Sequence, residues 1–120
     1  VNDMYSAYRQ TRQAFLVVTK GERVVGGGGI ARLEGGDATV CELRKMYFLP
    51  EARGLGVGRK LFDRLLQTAR KFGYKKCYLE TLKGMTQARK LYEANGFKPV
   101  HQPMGKTGHF GCDTWYLKNL

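Results

Sequence analysis

Acidic residues are scarce in this chain: 10 Asp and Glu stand against 21 Lys and Arg, a net charge of +11 over 120 residues. That imbalance calls for an anionic partner, whether nucleic acid, a membrane surface or a phosphorylated small molecule, and charge alone does not choose among them. No apolar run approaches the roughly 20 residues that span a bilayer, and no secretory signal pattern opens the chain, so no membrane partner is expected. Cysteine is sparse too. Cys41, Cys77 and Cys112 are widely spaced and form no CxxC pair, which favours a reducing, cytoplasmic setting. His109 and Cys112 lie three apart without a second ligand pair, so no metal is expected. Repeats, linkers and low-complexity tracts are lacking, and residues 1–120 form one domain, long enough to bury about two-thirds of its unfolded surface. A first residue Val1 in place of methionine leaves processing, trimming or a fragment as the readings.

Hydrophobic periodicity and turn residues divide the chain. "YSAYRQTRQ" (5–13) reads as the end of a short helix with Tyr5, Tyr8 and Arg12 on one side. "FLVV" (15–18), "VVGGGGIARL" (24–33) and "TVCELRKMYFL" (39–49), separated by turns at "KGER" and "EGGD", read as three antiparallel strands. Gly26 to Gly29 weaken a strand, so they mark a bulge or a close approach by another backbone or a ligand, with a flexible loop as the alternative. From Gly58 the period becomes helical, with Leu61, Phe62, Leu65, Leu66, Ala69 and Phe72 on one side and Gly73 as the stop. "KKCYLETL" (75–82) is a strand, and "TQARKLYEAN" (86–95) a helix with Ala88, Leu91, Tyr92 and Asn95 on one face. Pro99 and Pro103 bracket an irregular stretch before a last strand, "DTWYLKNL". The unit of strand 39–49, loop, helix and strand 75–82 is long enough for a crossover between parallel strands. The expectation is an α/β (α+β) fold: a mixed sheet with helices on its faces.

At the strand-to-helix junction stands "EARGLGVGRKLF" (51–62), with Gly54, Gly56 and Gly58 between Arg53 and Arg59. Free N–H groups and about half a positive charge make a helix start a ready anion site, and the glycines offer no Cβ to block a phosphate. A Walker loop needs G-x-x-x-x-G-K-[ST], which no frame here supplies. A Rossmann fingerprint needs G-x-G-x-x-G directly after a buried strand; the spacing here is G-x-G-x-G, and "ELRKMYFL" is too charged.

The stretch Arg53-Gly54-Leu55-Gly56-Val57-Gly58 resembles the [QR]-x-x-G-x-[GA] signature of the GNAT superfamily of acyl-CoA N-acyltransferases. "MYFLP" before it and "LYEANGF" (91–97) after it resemble the family in the same order and spacing. The resemblance implies a mainly antiparallel sheet with a splayed parallel strand pair, and acetyl transfer from acetyl-CoA to a primary amine of unknown identity on a small molecule, peptide or protein. It implies pyrophosphate held by the loop amides at residues 54–59, and pantetheine paired to the backbone of Met46, Tyr47 and Phe48. The thioester would end near Phe48, where a backbone N–H would stabilise the oxyanion. Tyr92 matches the motif tyrosine that protonates the coenzyme sulfur, against a purely core role for its ring. Glu80 stands where some members carry a catalytic glutamate. Tyr78 and Leu82 share its strand face, an arrangement expected to desolvate it and raise its pKa. Glu42 and a bound water are the alternative bases, and a solvated or ion-paired carboxylate is the plain reading of either glutamate.

Two departures from the family matter. Met85 stands where many members carry a coenzyme-contacting asparagine, and the family's first strand and helix are short or absent. Part of the acceptor wall is then expected from outside this sequence or from a partner subunit in a homodimer. "GKTGHFGCDTW" (105–115), with His109, Asp113 and Trp115, is expected to border the acceptor; a plain hairpin loop with a core tryptophan is the alternative. A basic nucleic-acid-binding module and a catalytically silent coenzyme-binding domain are the competing functions. The former lacks a zinc-finger, helix-turn-helix or RNP pattern.

Overall fold

The structure, a computed structural model, describes residues 2–10 by their backbone and residues 12–53, 56–109 and 111–120 in full. Its strands are β1 (Asn2–Gln10), β2 (Gln13–Lys20), β3 (Arg23–Arg32), β4 (Val40–Phe48), β5 (Lys76–Thr81), β6 (Lys98–Val100) and β7 (Thr114–Asn119). One 3-10 turn, Pro50–Ala52, leads toward helix α1 (Val57–Lys71), and α2 (Thr86–Ala94) follows β5. The sheet order is β1-β2-β3-β4-β5-β7-β6, antiparallel throughout except for the parallel pair β4 and β5 joined through α1. The expected mixed, mainly antiparallel sheet is therefore present. Among the described residues no helix is long and apolar enough to cross a membrane.

Two elements differ from the expectations. Residues 2–10 form β1 rather than the end of a helix. A helix of this length has too few turns to hold itself, whereas pairing along β2 satisfies the same backbone groups and covers an edge. The side chains of Tyr5 and Tyr8 lie outside the described residues. Arg12 sits in the turn between β1 and β2, donating to the carbonyls of Phe72 and Ala38 and lying 4.1 Å over the Tyr74 ring. The stretch read as irregular also contains β6, an edge strand that places Pro99 opposite Tyr116 of β7.

Both described helices pack on one face of the sheet, not on both faces as expected, because α1 and α2 share one apolar cluster. Leu61, Phe62, Leu65, Leu66 and Ala69 of α1 meet Leu16, Val18, Ile30, Leu43 and Leu79 in one cluster, with Leu91 and Tyr92 of α2 against it. Each fully buried Leu or Phe there contributes about 1.5–3 kcal/mol relative to exposure. Gly73, at φ +89°, turns the chain out of α1 and lets Tyr74 return its N–H to Ala69. On the opposite face Leu33, Val40 and Tyr78 form a smaller cluster with Met104, Trp115 and Leu117. Among the described residues no helix covers it; Met104 packs there, its N–H donating to the Tyr78 hydroxyl of β5 at 3.0 Å.

The four glycines of β3 lie within the strand, and the register shift between Gly27 and Gly29 in its ladder to β4 puts the extra residue on β4, not in the glycine run. Close approach explains them. A Cβ on Gly26 would stand 2.8 Å from the Phe48 ring and 2.9 Å from the Tyr47 carbonyl oxygen, and one on Gly29 would stand 2.9 Å from the Phe15 ring. Aromatic side chains of the neighbouring strands occupy the missing side-chain volume. Gly26→Ala is accordingly expected to cost about 1–3 kcal/mol through overpacking, seen as a lower urea midpoint at unchanged slope.

Candidate functional site

β4 and β5 pair only from Val40–Glu42 opposite Lys76–Tyr78. Beyond that point β5 stays with β7 as far as Thr81, and β4 stays with β3 as far as Phe48. The strands part because β4 is bulged: Gly29 pairs with Arg44 but Gly27 with Tyr47, which leaves an extra residue on β4, and Lys45 takes φ +57°. A left-handed lysine costs on the order of 1 kcal/mol, so the divergence is held by the surrounding ladder. The N–H of Leu49 donates to Val25 across the β3 side. Strand alternation then turns the N–H of Phe48 to the other edge, where β5 has moved away. The gap opens into a recess of about 290 Å³ lined by residues 42–46 and 79–82, with Tyr92, His109 and Cys112.

Helix α1 starts near the end of β4, where a Cβ on Gly58 would stand 3.7 Å from the Phe48 ring. Gly54 and Leu55 lie outside the described residues. Gly56, at φ +70°, is the N-cap of α1, with no side-chain cap and no acidic residue in the first turn, and the first helical bond is the Lys60 N–H to the Gly56 carbonyl. The amides of Val57, Gly58 and Arg59 thus lack helical partners, and Arg53, Arg59 and Lys60 stand exposed around them. Gly56 and Gly58 serve different ends. Gly56 supplies the left-handed cap, whereas a Cβ on Gly58 would lie 3.2 Å from Leu91, so its absence lets α2 approach the start of α1.

α2 is seated by side chains at its outer end. Arg89 Nε donates to the Tyr116 hydroxyl at 3.0 Å, and that hydroxyl donates to Glu93 at 2.6 Å. The Tyr92 ring packs edge-on to Phe62 (5.8 Å between centroids) and Phe97 (6.4 Å), and 6.0 Å from Tyr116. The half-buried ring thus packs against the core, and the residue also lines the recess. Burial pushes its phenol up, which keeps the proton on it. Met85 is the N-cap of α2, makes no side-chain cap and stands exposed at the recess edge.

Charged groups gather on the floor. Glu42, 2% exposed, lies on β4 where pairing with β5 ends. Its Oε2 is 3.1 Å from His109 Nε2 and its Oε1 is 3.3 Å from Arg44 Nε. The Arg44 N–H is not aimed at that oxygen, so this contact is ionic without a hydrogen bond. Desolvation, the largest influence, pushes the Glu42 carboxyl up against the opposing pull of Arg44 and His109. Glu80, half-buried on β5, accepts from the Tyr78 hydroxyl and from the Thr107 hydroxyl, both at 2.6 Å. Glu42, Glu80 and His109 bring one ligand-type atom each within 4.8 Å of one another. Protein hydrogen bonds and the Arg44 contact already account for that gathering. Segment 105–115 borders the recess through His109 and Cys112, while Asp113 turns away to the Lys83 N–H and Trp115 packs in the second cluster. Thr107 escaped the sequence reading, because nothing in its local pattern signals a bond to a residue 27 positions away.

An open strand edge beside an uncapped, basic helix start defines a class of protein that takes an extended, anion-tailed ligand into its sheet. The profile of the acetyltransferase (GNAT) family matches residues 2–97. The uncharacterized N-acetyltransferase YjgM of Escherichia coli K12 is 43% identical over 120 residues, all of this chain and 72% of that protein. A GNAT-family acetyltransferase structure from Staphylococcus aureus Mu50 superposes with TM-score 0.81 at 25% identity, covering 92% of this chain and 69% of that one. The PaiA N-acetyltransferase of Thermoplasma acidophilum, solved in complex with coenzyme A, shares the fold at TM-score 0.74 and 21% identity over 90% of this chain and 61% of its own. The chain belongs to the acetyltransferase (GNAT) family and is an acyltransferase.

A carboxyl raised by burial favours the protonated form in the folded state. Glu42 therefore adds stability below its ordinary value of 4.5 and withdraws it as pH rises through the raised one. Glu42→Gln, neutral throughout, is expected to melt with the wild type in acid and progressively above it toward neutral pH. A thermal denaturation series across pH checks this; a gap that does not change with pH would contradict the cost of burying that charge.

Proposed function

We propose that the protein transfers an acetyl group from acetyl-CoA to a primary amine of a small molecule, peptide or protein, by direct attack within a ternary complex. The observation that carries this is the unpaired edge of β4 running up to the uncapped start of α1. An extended amide-bearing arm fits such an edge as an added strand does, and a pyrophosphate fits the helix start.

In this reading Met46, Tyr47 and Phe48 pair with the pantetheine arm. The amides of the loop from Gly54 and Leu55 through Gly56, Val57, Gly58 and Arg59 hold the pyrophosphate, with Arg53 adding charge. The thioester carbonyl then lies by Phe48, whose N–H meets the oxygen as it becomes an oxyanion. The amine lone pair attacks the carbonyl carbon, the carbon–sulfur bond breaks, and the Tyr92 hydroxyl gives its proton to the departing sulfur; the second proton shed by the new amide nitrogen passes through water to restore the phenol. Its retained phenolic proton suits that task. The ammonium must first lose a proton, and Glu80 and Glu42, both on the recess, are the carboxylates available on the acceptor side. Met85 leaves the coenzyme one side-chain contact fewer than many relatives have. The three free cysteines suit a reducing, cytoplasmic setting.

Acetyl-CoA is expected to raise the melting temperature, and Gly56→Glu to abolish that rise when each protein is compared with its own unliganded baseline. An unchanged wild-type melting curve at millimolar acetyl-CoA would count against coenzyme binding. Tyr92→Phe is expected to lower kcat about 10²–10⁴-fold with the thermal shift retained. Thiol release with a panel of amines, amino acids and peptides reads turnover, and coenzyme binding without any release would leave a silent binding domain.

A further inference from the structure

The acceptor side of the recess holds three ionisable groups of unequal access. Glu42 is at the floor with a side chain 3% exposed, and His109 and Arg44 lie against its two oxygens. An amine reaching it would first have to displace the imidazole. Glu80 is held from two sides, by Tyr78 of β5 and by Thr107 of the crossing segment. The Tyr78 hydroxyl is itself fixed by the Met104 N–H. His109 is the accessible member, its side chain 46% exposed at the opening. Its position is set by the same segment, since its N–H donates to the Thr107 hydroxyl at 3.2 Å.

We propose that His109 takes the proton from the acceptor's ammonium, with Glu42 as its positioning partner and Glu80 as the fixed anion beside which that ammonium sits. This assignment rests on the acetyl-transfer reading. A carboxylate only accepts hydrogen bonds, so Glu42 Oε2 calls for the hydrogen on His109 Nε2. The lone pair is then on Nδ1, for which no partner exists among the described residues. Imidazole is the side chain whose ordinary range suits proton transfer near neutrality. The ammonium proton passes to Nδ1, the freed nitrogen pair attacks the thioester carbon, and the imidazolium returns its proton to water after release. The ionisable groups that line the recess with His109 are Glu42, Arg44 and Lys45 from β4, Glu80 from β5, Tyr92 from α2, and Cys112 on its own segment.

The test compares kcat/KM across the neutral pH range for wild type, His109→Gln and Glu80→Gln, using whichever of n-butylamine, lysine or a lysine-containing peptide the wild type acetylates. His109→Gln is expected to lose about a hundredfold or more and the acid limb of the profile, with the acetyl-CoA thermal shift intact. Glu80→Gln is expected to keep that limb and raise KM. A wild-type profile in His109→Gln, loss of the limb in Glu80→Gln alone, or inactivation by a chelator reversed by a divalent cation would each overturn the assignment. Nitrogen-15 NMR of the free protein supplies a readout independent of any acceptor. Neutral His109 is expected to carry its hydrogen on Nε2, in Glu42→Gln as well, and to lose that preference in Glu42→Ala; hydrogen on Nδ1 in the wild type refutes the pairing. A wild type that acetylates nothing in the panel bears against acetyl transfer, while the tautomer still decides the pairing.

Discussion

Parallel pairing between β4 and β5 lasts three residues and then stops, and the rest of the molecule is arranged around that interruption. A sheet that parts in its middle exposes backbone groups that would elsewhere be bonded. Here the parting is enforced from the β3 side, where an extra residue and a left-handed Lys45 bend β4 away. The glycines of β3 belong to the same device. They make room for Phe15, Met46, Tyr47 and Phe48, so the strand that must bend is wedged by its own side chains. Local strain is tolerated because the ladders on both outer sides of the gap remain intact.

The recess between the strands has two walls of different character. On the helix face the aromatic group of Phe62, Tyr92, Phe97 and Tyr116 is rigid and apolar, and the bonds among Arg89, Tyr116 and Glu93 hold α2 to β7. On the other face no helix intervenes, and segment 101–113 brings Thr107 and His109 over the carboxylates of β5 and β4. One buried carboxylate there opposes folding at neutral pH. Costs of this kind concentrate where chemistry is done, and the expense is local because the apolar cluster under α1 is independent of it.

Much of this was legible in the chain. The helical period from Leu61 to Ala69, its stop at Gly73 and the alternating strands before the loop gave the sheet, the crossover and the strand-to-helix junction, since each is written in local periodicity. Gly54, Gly56 and Gly58 looked equivalent in the sequence; Gly58 serves packing against Leu91, a contact 33 positions away that no local pattern encodes. The preference between carboxylates was also invisible. The shared strand face of Tyr78, Glu80 and Leu82 suggested desolvation of Glu80, but Glu42 is the more deeply buried of the two, because a strand that reads as charged ends its pairing at that residue. Residues 2–10 were misread because polar spacing suited either state, and pairing to β2 decided it.

The sheet's far margin carries a consequence of its own. Strand β6 has three residues, one of them Pro99 and another Lys98, and it is the last member beside β7. A margin so brief, short of one amide hydrogen and bearing a cation, is a poor template for a strand from another molecule. Self-association by lateral sheet growth is therefore discouraged on that side. A protein that keeps an unpaired strand edge in its interior is guarded against strangers at its border.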